Sequence, residues 1–317
     1  MKVVVGSRTV AGAVRVRLCR LAAWAALLGL MATTAAPQDV YVTLVEVHFT
    51  VTDRNGVFVK NLRPEDFTVY DNDRPQQIST FAQKVQAPVS VALILDRSES
   101  IRDRFPSVLE SAAAFATSII RNRDDQGSLV AFDSKVYLLQ NWTADPDALV
   151  QNIRKLSTAG GTSIFDALLK TCRDQFNGAD DRQKVAVLVT DGEDTTSVAT
   201  FDDALRMAKM TRVTVYVLGV RAESSLNTRE QQGRRVLANL ADLTGGRVFY
   251  PADYHEASLQ PVFAQLQEEL RNSYNLAYYL DVAPGNTFHQ IRIAANNPSL
   301  SMHAPTGYYP GRRRLAP

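Results

Sequence analysis

Apolar and polar residues alternate through Val45-Glu46-Val47-His48-Phe49-Thr50-Val51, the period-two pattern of a strand with one buried face. The run leads into Asp53-Arg54-Asn55-Gly56, and an Asn-Gly between two β-rich runs predicts a hairpin. Two more β-rich runs, 67–70 and 77–81, read as a second pair separated by the polar segment Asp71-Asn72-Asp73-Arg74-Pro75. The first region is therefore expected to be all-β.

After Pro88 the texture changes. Short, nearly continuous apolar runs at 89–95, 128–132, 185–189 and 213–217, with a weaker one at 248–250, alternate with helical patterns at 106–120, 148–156, 164–176, 201–210, 233–243 and 259–270. Unbroken apolar strands between amphipathic helices indicate an α/β fold, a doubly wound and mostly parallel sheet covered on both faces. Beyond Arg271 the β pattern returns at 274–280 and 290–294 and ends at Gly307-Tyr308-Tyr309-Pro310. Neither β region has enough strands for a core of its own, so the two are expected to pack as one small β-sandwich with the α/β domain inserted between them. The resulting division is 37–86 for the N-terminal β region, 87–271 for the α/β domain, 272–311 for the C-terminal strands and 312–317 for a tail.

Residues 1–36 read differently. Lys2, Arg8, Arg15, Arg17 and Arg20 precede an apolar run at 21–32 and then Thr33-Thr34-Ala35-Ala36, the basic, apolar and small-residue order of a secretory signal peptide. The run falls short of the ~20 residues a membrane span needs, so the expectation is a secreted or periplasmic protein without a permanent membrane span. This leader carries the basic character: without it 30 basic residues face 33 acidic ones, and the only late basic cluster is Arg312-Arg313-Arg314. That balance argues against a nucleic-acid partner. Cys19 leaves with the leader, so Cys172 has no intramolecular partner; it sits in an apolar helical pattern and reads as a buried, inert thiol.

In an open parallel sheet, ligands bind beyond the carboxyl ends of the strands. The first long apolar strand runs directly into Asp96-Arg97-Ser98-Glu99-Ser100, the run at 185–189 leads through Thr190 into Asp191-Gly192-Glu193-Asp194, and between them lies Ala159-Gly160-Gly161-Thr162-Ser163 before a helix. Three loops thus bring Asp96, Ser98, Ser100, Thr162 and Asp191 to one sheet edge. Five oxygen donors select a hard divalent cation, Mg²⁺ foremost with Mn²⁺ or Ca²⁺ as substitutes, over zinc. Two carboxylates among three neutral hydroxyls leave the ion electron-poor and open to a carboxylate from another molecule. Asp166, Glu193 and Asp194 stay outside this set; the Thr162-Ser163 pair ahead of Ile164 also suits a helix cap, and Asp166 three residues beyond Ser163 suits a capping arrangement.

The order Asp-x-Ser-x-Ser, Gly-Gly-Thr, Thr-Asp-Gly resembles the metal-ion-dependent adhesion site of von Willebrand factor A and integrin inserted domains. The resemblance implies that Ser98, Ser100 and Thr162 contact the ion, with Asp96 and Asp191 acting directly or through water, and that the partner is a protein presenting an Asp or Glu. The flanks, Val51-Thr52-Asp53-Arg54-Asn55-Gly56, Leu62-Arg63-Pro64-Glu65-Asp66-Phe67 and Gly307-Tyr308-Tyr309, are similar to secreted von Willebrand A-related proteins of acidobacteria.

Catalysis fits less well. A phosphoryl-transfer enzyme of the haloacid-dehalogenase type places a second aspartate two residues after the first, where this chain has Ser98, and wants a downstream lysine that is not well placed here. Ser98 and Ser100 lack a Gly-x-Ser-x-Gly elbow, and His48, His255, His289 and His303 fall outside the sheet-edge loops. No phosphate loop or dinucleotide fingerprint occurs. The expectation is a binding protein rather than an enzyme, with a structural, metal-stabilised scaffold as the alternative.

Overall fold

The alternation at the start becomes β1 (Thr43–Thr52), whose Val45, Val47, Phe49 and Val51 are buried. The structure, a computed structural model, describes residues 43–85, 88–121, 123–177, 182–220, 228–250, 260–280 and 287–310. The leader, its cleavage site, Cys19, His255 and the tail lie outside the described residues. Residues from Val40 onward belong to one compact unit.

β1 is followed by β2 (Phe67–Asp71), β3 (Arg74–Gln76) and β4 (Ile78–Val85). The α/β region contributes β5 (Val89–Asp96), α1 (Phe105–Ile119), β6 (Gln126–Phe132), β7 (Val136–Thr143), α2 (Pro146–Ile153), α3 (Ile164–Gln175), β8 (Gln183–Thr190), α4 (Phe201–Thr211), β9 (Thr214–Gly219), α5 (Thr228–Thr244), β10 (Val248–Phe249) and α6 (Gln260–Arg271). The chain ends with β11 (Asn272–Leu280), β12 (His289–Ala295), β13 (Ser301–His303) and β14 (Gly307–Tyr308).

Among the described residues the strands form three sheets, ordered β13-β1-β11-β4, β10-β9-β8-β5-β6-β7 and β14-β12-β2-β3. The first and third each mix strands from both ends of the chain. They share one core, in which Val47, Phe49, Leu276 and Tyr278 of one sheet meet Phe67, Val69, Ile291 and Ile293 of the other. Sandwich packing buries an apolar face that a four-stranded sheet alone leaves wet.

Every residue of β5 is buried, as a central strand between two helical layers requires. Alternate side chains serve the two faces: Val91, Leu93 and Leu95 pack with α1, α2 and α6, while Ala92 and Ile94 pack with α3, α4 and α5. β5, β6, β8, β9 and β10 run parallel to one another, and β7 runs antiparallel to β6. Local signals fix the ends. Asp145 accepts from the Asp147 N–H to start α2, and Thr200 with Asp203 forms a capping box for α4.

Three expectations need correction. The Asp53–Gly56 turn forms, with Gly56 N–H donating to the Asp53 carbonyl, but the run after it makes only an isolated bridge from Phe58 to Thr52. The runs 67–70 and 77–81 do not pair: β2 joins β12 and β3, whereas β4 crosses to the other sheet beside β11. The intervening Arg74–Gln76 is itself a strand, turned at Asn72 and Asp73, both at positive φ. Edge strands β7 and β13 carry no strict alternation and escape detection in the sequence.

α6 passes into β11 without an intervening residue, and buried charges hold the junction. Arg271 pairs with Asp125 at 2.9 Å, and Asp125 also accepts from the Val89 and Arg121 N–H groups. Two residues earlier, Glu269 meets Arg247 at 2.6 Å and accepts from the Thr50 hydroxyl of β1.

Candidate metal centre

The parallel pairing of β5 with β8 sets Leu95 beside Val189, so the two strands deliver Asp96 and the Thr190-Asp191 step to the same edge. Asp96, Ser98, Thr162 and Asp191 are buried and Ser100 is exposed. Ser98 N–H donates to Asp96 Oδ1 at 2.8 Å, and the Ser98 and Ser100 hydroxyls lie 2.8 Å apart. Thr190 Oγ1 donates to Asp96 Oδ2 at 2.6 Å and accepts from Gly192 N–H at 3.2 Å.

The Thr162 loop is tied to the first loop by its backbone. Ala159 N–H donates to the Arg97 carbonyl at 2.8 Å and Glu99 N–H to the Gly160 carbonyl at 3.4 Å. Gly160 has φ of +66° with Asp133 and Ser134 directly against it, a left-handed, crowded position suited to glycine. From the other side, Thr195 and Thr196 N–H groups both donate to the Thr162 carbonyl, and Thr195 Oγ1 accepts from Thr162 N–H at 3.0 Å.

Electrostatically the edge is short of positive charge. Burial first, and the Asp191 charge second, push the Asp96 carboxyl up to about 7 against the hydrogen bonds from Thr190 and Ser98. Among the described residues, Oδ1 of Asp191 has no hydrogen-bond partner although the residue is only 4% exposed. A buried carboxylate oxygen without a donor is costly, and a cation is the species that would satisfy it. No cluster of three or more His, Cys, Asp or Glu side chains suited to a metal occurs among the described residues; the set here contains two carboxylates and three hydroxyls.

Residues 90–265 match the von Willebrand factor type A domain. The chain belongs to that family. A curated relative, uncharacterized protein sll0103 of Synechocystis sp., is 31% identical over 108 residues, 33% of this chain and 26% of that protein. The match therefore spans about a quarter of the relative's length. Among solved structures, von Willebrand factor type A from Catenulispora acidiphila is similar with a TM-score of 0.49 and 15% identity over 80% of this chain and 77% of that one. The vWF domain of the type V pili tip protein Mfa5 from Porphyromonas gingivalis has a TM-score of 0.33 and 27% identity over 35% of this chain and 40% of that one.

Within this von Willebrand A domain, several supporting residues escape a reading of the sequence. Arg97 turns away from its neighbours Asp96 and Ser98 to pair with Asp133 at 3.4 Å and lies over the Tyr137 ring. Ser134 Oγ accepts from Gly161 N–H at 2.8 Å. The capping expectation is corrected: Ser163 makes no cap hydrogen bond and its hydroxyl meets that of Thr196 at 2.7 Å. Asp194 caps α3 instead, accepting from the Ile164 and Phe165 N–H groups, while Asp166 accepts from the Val198 and Ala199 N–H groups. A cap supplied from thirty residues away leaves no local signature; Thr190, the last residue of an apolar strand and the only polar one after Lys184, was the legible hint.

His289 sits in the sandwich against Asp71 at 2.7 Å, where Tyr278 and Tyr308 also donate to Asp71. Cys172 is buried on α3, and burial pushes its thiol up to about 12.

Proposed function

We propose that the chain is an exported, metal-dependent protein-binding module. Ser98, Ser100 and Thr162 hold a divalent cation, Mg²⁺ foremost with Mn²⁺ or Ca²⁺ as substitutes, and Asp96 and Asp191 bind it directly or through water. When bound, the ion supplies positive charge that attracts an Asp or Glu carboxylate of a partner protein. The observation that carries this reading is the unpartnered, buried Oδ1 of Asp191 beside the raised Asp96 carboxyl, since the pair repel each other until a cation lies between them.

The chain's own residues do the positioning. Thr190 orients Asp96, Thr195 and Thr196 fix Thr162, and the Arg97–Asp133 pair keeps a competing guanidinium off the carboxylates. Three neutral hydroxyls in a set of five favour binding over catalysis, because the ion keeps attraction for an external carboxylate and no activated nucleophile is supplied. Export rests on the leader sequence at 1–36; among the described residues no helix is long and apolar enough to cross a membrane.

The test is selection from a random peptide display library on immobilised protein with Mg²⁺, eluted by chelator. The reading expects enrichment of peptides bearing Asp or Glu, abolished by Thr162→Ala. No chelator-eluted enrichment, together with Mg²⁺-dependent thermal stabilisation of the wild type alone, would favour the metal as a purely structural element.

A further inference from the structure

The outer strand of the six-stranded sheet is unusual for an edge. β7 reads Val136-Tyr137-Leu138-Leu139-Gln140-Asn141-Trp142-Thr143, without a charge or a proline, the devices that ordinarily protect an open edge from other chains. Among the described residues β7 is terminal in the sheet order, and Tyr137, Leu138 and Leu139 are 37%, 50% and 37% exposed. Successive side chains alternate between the faces of a strand, so Tyr137 and Leu138 leave apolar area exposed on both faces of this edge.

The ladder to β6 passes from the Val130–Leu138 pair to the Leu129–Gln140 pair, leaving Leu139 as the extra residue of a bulge. Beside Leu138 a recess of about 110 Å³ is lined by Val130, Val136, Lys170, Thr171, Asp174 and Gln175. Thr171 Oγ1, on a residue 2% exposed, and Gln175 Oε1 both lack hydrogen-bond partners among the described residues. Both atoms are buried on α3, so what the edge offers a partner is its exposed apolar area.

We propose that this edge is a self-association surface, occupied by β7 of a second copy of the chain running antiparallel about a two-fold axis near Leu139 and Gln140. The ends of the strand carry opposite charges, Lys135 before it and Asp145 after it. A two-fold axis at the middle brings each Lys135 toward the other copy's Asp145, so the surface is complementary to itself, as an isologous contact requires. In the same arrangement Leu138 faces the second copy's exposed Asn141. Register shifts on both sides of Gln140 keep main-chain pairing short, so the contact rests on Tyr137 against the second copy's Trp142 and on the flanking charges.

Sedimentation velocity of the purified chain in chelator, over a hundred-fold range of concentration, tests this with metal-mediated contacts removed. The expected result is a concentration-dependent shift toward twice the 35.0 kDa chain mass, abolished by Leu138→Lys. Lys135→Glu should weaken association several-fold at low salt, and adding Asp145→Lys to it should restore it; this pair carries the test if Leu138→Lys fails to fold by circular dichroism. Sedimentation at the single-chain mass throughout, or association untouched by both Leu138→Lys and Lys135→Glu, would overturn the proposal.

Discussion

Replacing Asp96 by asparagine should make the metal-stripped protein more stable near pH 8 while removing its response to Mg²⁺. The Asp96 carboxyl is pushed up to about 7 in the folded chain, first by burial and then by Asp191; in the unfolded chain it returns to about 3.9. Between those values the folded state holds a proton that the unfolded state has lost. Stability from this group is therefore greatest below about pH 4 and falls as pH rises, the loss being complete above about 7. Three units at roughly 1.36 kcal/mol each set an upper size of ~4 kcal/mol. Asparagine carries no charge to desolvate and none to oppose Asp191, so in chelator the variant should gain on the order of 2–4 kcal/mol near pH 8 and about a third of that near pH 5. Saturating Mg²⁺ should reverse the order, because only the wild type gains binding free energy. Urea unfolding followed by circular dichroism at both pH values measures the gap. A variant less stable than the wild type near pH 8 in chelator, or a gap that does not shrink on acidification, would refute the reasoning.

Other consequences are as specific. Thr190→Val removes the 2.6 Å donor to Asp96 and should weaken Mg²⁺ binding about tenfold, the usual size for a residue that orients a ligand, with Thr190→Ser near wild type in calorimetry. Arg271→Met leaves the Asp125 carboxylate buried without its guanidinium and should cost about 3–5 kcal/mol, read as a lower urea midpoint at an unchanged slope. Because burial pushes the Cys172 thiol up to about 12, it should resist a disulfide reagent at neutral pH in the folded protein and react stoichiometrically after unfolding in urea.

The α/β core was legible because a central parallel strand buried on both faces has only apolar choices, so 89–95 and 185–189 announce β5 and β8 within a residue or two. Helices were legible from the same cause, a one-sided apolar stripe. Edge strands have no such constraint. β7 exposes Tyr137, Leu138 and Leu139 and carries a bulge, so its pattern matches neither period. The partition of β2 and β4 between two sheets was hidden because alternation reports a buried face, not the strand beside it. At the candidate site, Asp96, Ser98, Ser100, Thr162 and Asp191 could be named because parallel topology sends the strand ends to one edge. The groups that hold them, Thr190, Asp133, Thr195 and Asp194, act across distances of about thirty to ninety residues, and nothing local in the sequence encodes such contacts.

The most direct test of the account is calorimetric titration of Mg²⁺ and Mn²⁺ into metal-stripped protein, beside the Asp96→Ala variant. One-site binding that disappears in the variant is the predicted result. Absence of binding in the wild type, or undiminished binding in Asp96→Ala, would contradict the assignment of the metal centre and with it the proposed mode of partner capture.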